Sequence, residues 1–195
     1  MGTDEGGVAL VDFVAALALS LTMAAMAVPV IGGTLDREHA IIGTQRLAGQ
    51  LQRARMESLK RSTAVAVRLE LVGERAGARL YVDGNGNGVL QRDIDRGTDR
   101  PLTPLEWVDA HARDVSLRVN QTVTDVGGSG SIEPGSNPIR IGRTALVTFS
   151  PLGSSSSGTL YVAARRGPQM AIRVYGASGR VRVLMFDART RQWRL

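Results

Sequence analysis

The 195-residue sequence contains no cysteine and only two histidines. The absence of cysteine excludes disulfides, thiolate metal sites and a cysteine nucleophile. His39 and His111 lie far apart in the chain, which disfavours zinc sites and Ser-His-Asp catalysis. The serines at 154–157 lack the Gly-x-Ser-x-Gly pattern of a nucleophile elbow, and no phosphate-binding glycine loop is present. The sequence therefore predicts a protein that is not an enzyme and needs no cofactor.

Positive charge is carried almost entirely by arginine and is concentrated at one end. Lys60 is the only lysine among 24 basic residues, and the formal net charge is +6 at pH 7. Residues 161–195 contain eight arginines and a single acid, Asp187. This basic end predicts either a surface that contacts a polyanion or an acidic protein, or a solvated arginine-rich sheet face.

A long segment near the N-terminus has no charge. Residues 13–35 lack any charged side chain, and the apolar run reaches back to Val8 with only Asp12 interrupting it. As a helix, residues 8–31 would be about 36 Å long, which suffices to cross a hydrocarbon core of about 30 Å. A cleaved secretory signal is the alternative, but residues 1–7 contain two acids and no basic residue. A retained membrane helix is the favoured interpretation.

Asp12 is the unusual residue of this run, because an ionisable group in a membrane helix costs about 2.5–3.5 kcal/mol unless it finds a partner. It is the fifth residue counted from Val8, which follows Gly7, and Pro29 is the twenty-second. This arrangement resembles the N-terminus of a type IV prepilin. The resemblance implies that a prepilin peptidase cleaves after Gly7, that Val8 becomes N-methylated, and that Asp12 pairs with the amino terminus of a neighbouring subunit. A carboxylate that reaches the membrane interface is the alternative for Asp12.

The residues after the apolar run predict an amphipathic stem helix over 36–61. Apolar or small side chains recur there at steps of three and four, with arginine and glutamine largely on other faces. The members of this stripe are Ile41, Thr44, Ala48, Leu51 and Ala54. Asp36 is predicted to cap the stem, and Gly32 and Gly33 to permit a bend before it.

The rest of the chain alternates in the manner of β-strands. Seven segments rich in β-branched and aromatic residues are bounded by Gly, Pro or Ser, at residues 64–71, 78–82, 115–119, 145–149, 159–163, 171–175 and 181–186. The loop at 126–131 is expected to be too polar and glycine-rich to pack. We therefore predict an α+β fold in which a long N-terminal helix, with a membrane half and an amphipathic stem, packs on an antiparallel β-sheet head. The predicted divisions are 1–7 as leader, 8–34 as transmembrane and assembly helix, 35–62 as amphipathic stem helix and 63–195 as β-rich head.

The order of several motifs narrows the resemblance. A stem that leads directly into a strand is followed by the segments 81–88, 148–153 and 178–182, and this order is similar to the GspH/FimT family of minor pseudopilins and minor pilins. The resemblance implies a structural subunit at or near the tip of a type II secretion pseudopilus or a type IV pilus. It further implies a single pass through the inner membrane, a head in the periplasm, and other pilins or pseudopilins and the prepilin peptidase as partners. An anchored β-rich periplasmic protein unrelated to filaments is an alternative.

Two motifs of the head are candidate binding sites. Asp83, Asn85 and Asn87 repeat the first half of an EF-hand loop, but Ile94 stands at the twelfth position, where a bidentate Glu is needed. A tight turn without metal is favoured over this weak calcium candidate.

Arg180 and Arg182 match a C-terminal Gly-Arg-x-Arg element that the FimT branch associates with DNA binding during natural transformation. Two side chains at i and i+2 of a strand project to the same face. A FimT-like DNA-binding minor pilin is therefore the alternative function, with DNA as a further candidate partner.

Overall fold

The computed structural model describes residues 5–128 and 130–195, and it leaves the side chains at 5–9, 24 and 26–32 undescribed. The chain divides into two compact units, Met1–Leu35 and Asp36–Leu195. A single helix, α1 (Glu5–Arg61), begins in the first unit and continues into the second. All other helices and strands belong to the second unit.

The first unit presents an apolar helix surface. Eight large hydrophobic side chains of α1 are each more than half exposed, namely Leu10, Val11, Phe13, Val14, Leu17, Leu19, Leu21 and Met23. At 100° per residue, these positions surround the helix, which is typical of a helix that is buried in a larger assembly or in lipid. No helix within the described residues has the length and apolar character needed to cross a membrane. The predicted span, residues 8–31, includes positions 8, 9, 24 and 26–31, whose side chains lie outside those described.

Helix α1 is continuous through the position where the sequence predicts a new start. Gly32, Gly33 and Asp36 are all helical, so the prediction that Asp36 caps a separate stem is wrong. Glycine costs only about 1 kcal/mol in a helix interior, so two glycines need not end a helix of this length. The helix ends after Arg61, where Ser62 adopts a left-handed conformation with φ of 52°.

The stem part of α1 packs through the predicted stripe. Thr44, Leu51 and Ala54 are fully buried, Ala48 is nearly so, and Ile41 is partly buried against the same core. The Thr44 hydroxyl donates to the carbonyl of residue 40, four positions earlier, at 2.6 Å, which satisfies this polar group inside the core. The amphipathic interpretation of residues 36–61 is therefore confirmed.

Antiparallel strands, numbered in chain order, form two larger sheets and a small hairpin. The first sheet contains β1 (Val65–Val72), β2 (Arg75–Val82), β3 (Arg100–Pro101), β4 (Glu106–Trp107) and β9 (Leu146–Phe149). The second contains β5 (Ser116–Leu117), β8 (Ile139–Ile141), β10 (Gly158–Ala163), β11 (Gln169–Tyr175), β12 (Arg180–Asp187) and β13 (Gln192–Arg194). The hairpin is β6 (Val123–Thr124) with β7 (Ser131–Ile132), and a short helix, α2 (Gln91–Asp95), follows β2.

One buried cluster joins α1 to both sheets, with Leu47 and Leu51 from the helix, Val67 and Leu80 from the first sheet, and Ile172 from the second. The opposite face of the second sheet carries a smaller cluster, which the β6–β7 hairpin covers. The predicted α+β architecture of a helix on antiparallel sheets is therefore confirmed.

Each of the seven predicted strands is present, but the segment 115–119 is reduced to Ser116–Leu117. Strands of two or three residues, such as β3, β4 and β13, are too short to show a period and were not predicted. The expectation that 126–131 does not pack is wrong in part, because Gly127 lies directly against the guanidinium of Arg173.

Candidate assembly and binding surfaces

The candidate assembly residues lie on α1 within the first unit. The backbone of Gly7, Val8 and Pro29 is helical, and their side-chain surroundings lie outside the described part. Asp12 is exposed, between the exposed apolar side chains of Val11 and Phe13. It forms no ion pair or hydrogen bond with any described residue. A carboxylate on such a surface needs a cation once the surface is covered, because burying it unpaired is expensive.

Arg180 and Arg182 begin β12 and lie opposite β11. Arg182 pairs directly with Arg173, and Arg180 pairs with Tyr175. The guanidinium carbons of Arg173 and Arg182 each lie 5.8 Å from the centre of the Tyr175 ring, within cation–π range. A shallow cavity of about 210 Å³ opens here, lined by Tyr175, Ser178, Arg180 and Arg182. Because like charges on opposed strands repel, this concentration of arginines favours binding an anion.

The turn before these arginines requires glycine. Gly179 has φ of +60°, and its N–H donates to the carbonyl of Tyr175 at 2.8 Å. A Cβ at this position would lie 2.8 Å from the Gly153 carbonyl oxygen and 3.2 Å from the Nε of Arg55 on α1. The absence of a side chain therefore lets the β11–β12 turn approach the stem helix closely.

The β6–β7 hairpin is held on the second sheet by a tyrosine that the sequence did not single out. The Tyr161 hydroxyl donates to Asp125 Oδ1 at 2.9 Å and accepts from the Val126 N–H at 3.1 Å. Trp193 Nε1 donates to the Thr124 carbonyl at 2.8 Å. Burial raises the pKa of Tyr161 to about 12, so the phenol remains a donor throughout the physiological range.

The carboxylate of Asp125 belongs to the same network. Burial alone would raise its pKa, but hydrogen bonds from the Gly127 N–H and the Tyr161 hydroxyl, together with the charges of Arg140 and Arg173, outweigh burial and leave the pKa lowered. Arg140 Nη2 lies 3.5 Å from Asp125 Oδ2. Asp125 thus connects the β6–β7 hairpin to Arg140 on β8 and Arg173 on β11.

The calcium candidate loop uses its oxygens internally. Asp83 Oδ1 accepts the N–H groups of Asn85 and Gly86, at 3.0 and 2.8 Å, and its Oδ2 accepts that of Gly88 at 2.7 Å. Asn87 Nδ2 donates to Asp93 Oδ2 at 3.0 Å. Across the described residues, no group of three or more acidic, histidine or cysteine side chains is placed to hold a metal ion. The arrangement is that of a hydrogen-bonded turn.

Asp99 closes this loop and was missed by sequence reasoning. It is 1% exposed, and its two oxygens accept the N–H groups of Gly84 and Leu90, each at 3.0 Å. No local pattern marks it, because Gly84 lies fifteen residues away along the chain.

A second unpredicted group joins the stem to the head. Glu106 on β4 accepts a hydrogen bond from Gln50 Nε2 at 2.8 Å, and Arg46 Nη2 lies 3.8 Å from the same carboxylate. Arg46 Nη1 lies 2.9 Å from His111 Nδ1. These contacts fix the rotation of the stem against the first sheet, in addition to the apolar stripe.

A long N-terminal helix with an exposed apolar surface at its start, packed further along on antiparallel sheets, is consistent with the class of pilin-like subunits. Residues 43–179 match the family model described as type II transport protein GspH, and this match covers more than half of the chain. The chain belongs to the GspH family, the pilin-like minor pseudopilins of type II secretion. Comparison with curated proteins and with solved structures returns no match.

The candidate assembly and DNA-binding residues lie outside the matched range. The matched range includes the stem from Gly43, all strands of the first sheet, and β5, β8, β10 and β11 of the second sheet, and it ends at Gly179 before β12 and β13. Gly7, Val8, Asp12 and Pro29 precede it, and Arg180 and Arg182 follow it. The family is a structural pseudopilin family that acts at the cell envelope with other pseudopilins.

Proposed function

We propose that this chain is a minor pseudopilin that assembles at or near the tip of a type II secretion pseudopilus. The observation that carries the proposal is the apolar surface of α1 between Leu10 and Met23, which is exposed on all sides and contains one carboxylate, Asp12. Covering these side chains would stabilise an assembly by on the order of 1 kcal/mol per side chain. Helices of other pseudopilins supply such a cover in a filament.

Before assembly, the same apolar helix would anchor the subunit in the inner membrane, with the head in the periplasm. Support for this step comes from the charge-free run at 13–35 and from the resemblance to type IV prepilins. Pro29 lacks a backbone N–H and so loosens the helix locally, which would help α1 adapt to its neighbours.

Cleavage after Gly7 and N-methylation of Val8 would create the positive chain end that pairs with Asp12 of a neighbouring subunit. The pair would satisfy both charges inside an apolar environment, where either charge alone is costly. Axial register between subunits would follow from this pairing.

Intact-mass spectrometry of the full chain co-expressed with a prepilin peptidase tests the processing step. We expect loss of residues 1–7 and addition of one methyl group at Val8. Gly7→Val should leave the chain uncut, whereas Gly6→Ala, one residue away, should be processed normally. An uncut and unmethylated wild-type chain would contradict the proposal.

A second candidate function, DNA binding, is favoured by one arrangement on the second sheet. Arg173, Arg182 and the Tyr175 ring lie together, and Arg180 is exposed beside them. Such a cluster would neutralise phosphates with little dependence on base sequence and with a strong dependence on salt.

Gel-shift titration of the full chain in detergent tests this candidate. The Arg180→Ala/Arg182→Ala double variant should lose most of the affinity for DNA. The control variant Arg189→Ala/Arg191→Ala removes two arginines that are also two residues apart, beyond the other end of β12. It should keep the wild-type affinity for DNA. Equal binding by both double variants would remove the DNA role of Arg180 and Arg182.

A further inference from the structure

The first half of β12 is an open sheet edge. On one side, β12 pairs with β11 from Arg180 to Met185. On the other side, it pairs with β13 only from Met185 to Asp187. Within the described chain, no strand pairs with residues 180–184 on that second side. Unpaired edges of this kind are templates for the addition of a further strand.

A groove lies between this edge and the stem helix. Its volume is about 330 Å³, and it is lined by Gln52, Arg55, Met56, Gly179, Arg180 and Val181. Met56 is 63% exposed, and Val181 is only partly buried against the core. A strand added to β12 would therefore lie over an apolar floor that nothing in the described chain covers.

The rim of the groove is positively charged and unpaired. Arg55, Arg180 and Arg182 form no ion pair with a described carboxylate. Guanidinium groups form strong, charge-assisted hydrogen bonds with carboxylates. The occupant of the groove is therefore expected to carry acids.

A second copy of this chain fits poorly. Pairing two β12 edges in the register that keeps Val181 on the apolar side would gather four arginines on the other face without an acid among them. Like charges on directly opposed strands are destabilising. DNA also fits less well, because it has no peptide backbone to pair with the open edge of β12 and no apolar side chains to cover Met56.

We propose that this groove binds an extended segment of another protein, in which carboxylates alternate with apolar side chains and which adds a strand to β12. Side chains alternate between the faces of a strand, so acids would face Arg180 and Arg182 while apolar side chains face Val181, Val183 and Met56. Backbone hydrogen bonds to β12 give affinity, and the alternation gives specificity. This site is separate from the apolar N-terminal helix, and it binds whether or not the subunit enters a filament.

Fluorescence anisotropy with the full chain in detergent tests the proposal, using a short labelled peptide of alternating Glu and Val. We expect saturable binding that is lost when the peptide backbone is N-methylated, because N-methylation removes the donors that β12 needs. The Arg180→Glu/Arg182→Glu variant should bind the Glu-Val peptide about tenfold more weakly. It should bind a second labelled peptide, of alternating Lys and Val, more tightly than the wild type does, because the variant's charges are reversed. Arg189→Glu/Arg191→Glu, with the same charge change at the other end of β12, should bind the Glu-Val peptide normally.

Two results would overturn the proposal. If the N-methylated peptide binds as tightly as the unmodified Glu-Val peptide, the groove recognises only charge and no strand is added to β12. Binding of a single-stranded oligodeoxynucleotide without binding of the Glu-Val peptide would assign the cluster to nucleic acid. Thermal unfolding by circular dichroism confirms that each variant is folded, and the N-methylation comparison decides the question on the wild-type chain alone.

Discussion

Arg182 lies directly opposite Arg173 in the second sheet, and both guanidinium groups lie 5.8 Å from the ring centre of Tyr175. Like charges directly opposite each other on neighbouring strands are destabilising. Arg173 is further tied down by its Nη1, which donates to Thr159 Oγ1 at 3.0 Å. The fold thus fixes the Arg173 side chain by a hydrogen bond, whereas the Arg182 guanidinium is available to contact a partner beside the open edge of β12.

The Gly179 turn predicts a stability difference between two glycines. Gly179→Ala would place a Cβ 2.8 Å from the Gly153 carbonyl at a φ of +60°, whereas Gly142 has a similar φ of +55° and no neighbouring atom within 4 Å. We expect Gly142→Ala to lower the free energy of unfolding by about 1 kcal/mol through backbone strain alone. Gly179→Ala should cost about 1–3 kcal/mol more because of the clash. Denaturant titration measures both, and equal losses would show that the turn does not press on its neighbours.

Two glycines of the stem helix should respond with opposite signs. A Cβ at Gly43 would lie 2.6 Å from Val115 Cγ1, whereas a Cβ at Gly49 would meet nothing within 4 Å. We expect Gly43→Ala to destabilise the protein by about 1–3 kcal/mol through overpacking. Gly49→Ala should stabilise it by about 0.5–1 kcal/mol, since alanine favours the helix. Stabilisation by both substitutions would mean that the stem does not pack closely on the segment around Val115.

The lowered pKa of Asp125 predicts an acid dependence of stability. Because the folded-state pKa lies below the unfolded-state value, this carboxylate stabilises the fold above about pH 4 and loses that contribution as pH falls through its folded-state pKa. Asp125→Asn should flatten the decline in stability below about pH 4 relative to the wild type. Urea titrations across this range test it, and parallel curves for both proteins would contradict it.

The hydrogen bonds that the buried Asp99 accepts from Gly84 and Leu90 are expected to stabilise the loop at 83–90. Asp99→Ala leaves the N–H groups of Gly84 and Leu90 without acceptors and should lower the free energy of unfolding by about 2–4 kcal/mol. Asp95→Ala, in the same segment but exposed, should cost little. Denaturant titration measures both variants, and equal losses would contradict the structural role of Asp99.

We expect calcium to leave the wild-type melting temperature unchanged, because the Asp83 oxygens already accept backbone N–H groups. A rise in melting temperature with calcium would instead support a metal site.

The periodic spacing of apolar residues correctly predicted structural features that depend on residues close together in the sequence. The three- and four-residue spacing of Thr44, Ala48, Leu51 and Ala54 identified the buried face of the stem, and alternation located the long strands. The position of Arg180 and Arg182 on one strand followed in the same way.

Contacts between distant segments were beyond the reach of such patterns. The hydrogen bond between Tyr161 and Asp125 joins residues that are 36 positions apart in the chain. Local sequence patterns do not reveal such a contact, and the prediction that the glycine-rich loop at 126–131 does not pack was therefore wrong in part. The approach of Arg55 to Gly179 depends on how the stem lies against the second sheet, and only the folded chain defines it. Asp36 has the local preference of a helix cap, but the surrounding helix overrides that preference.

Incorporation of Asp12 variants into assembled pseudopili is the most direct test of the proposed assembly. Full-length wild type, Asp12→Ala and Asp12→Glu would be compared for the amount recovered with sheared filaments, relative to total protein. Removing one member of a buried ion pair is strongly destabilising, so we predict that Asp12→Ala lowers recovery about tenfold or more, while Asp12→Glu, which keeps the charge, retains it. Recovery of Asp12→Ala at the wild-type level would contradict the pairing of this carboxylate with a neighbouring amino terminus.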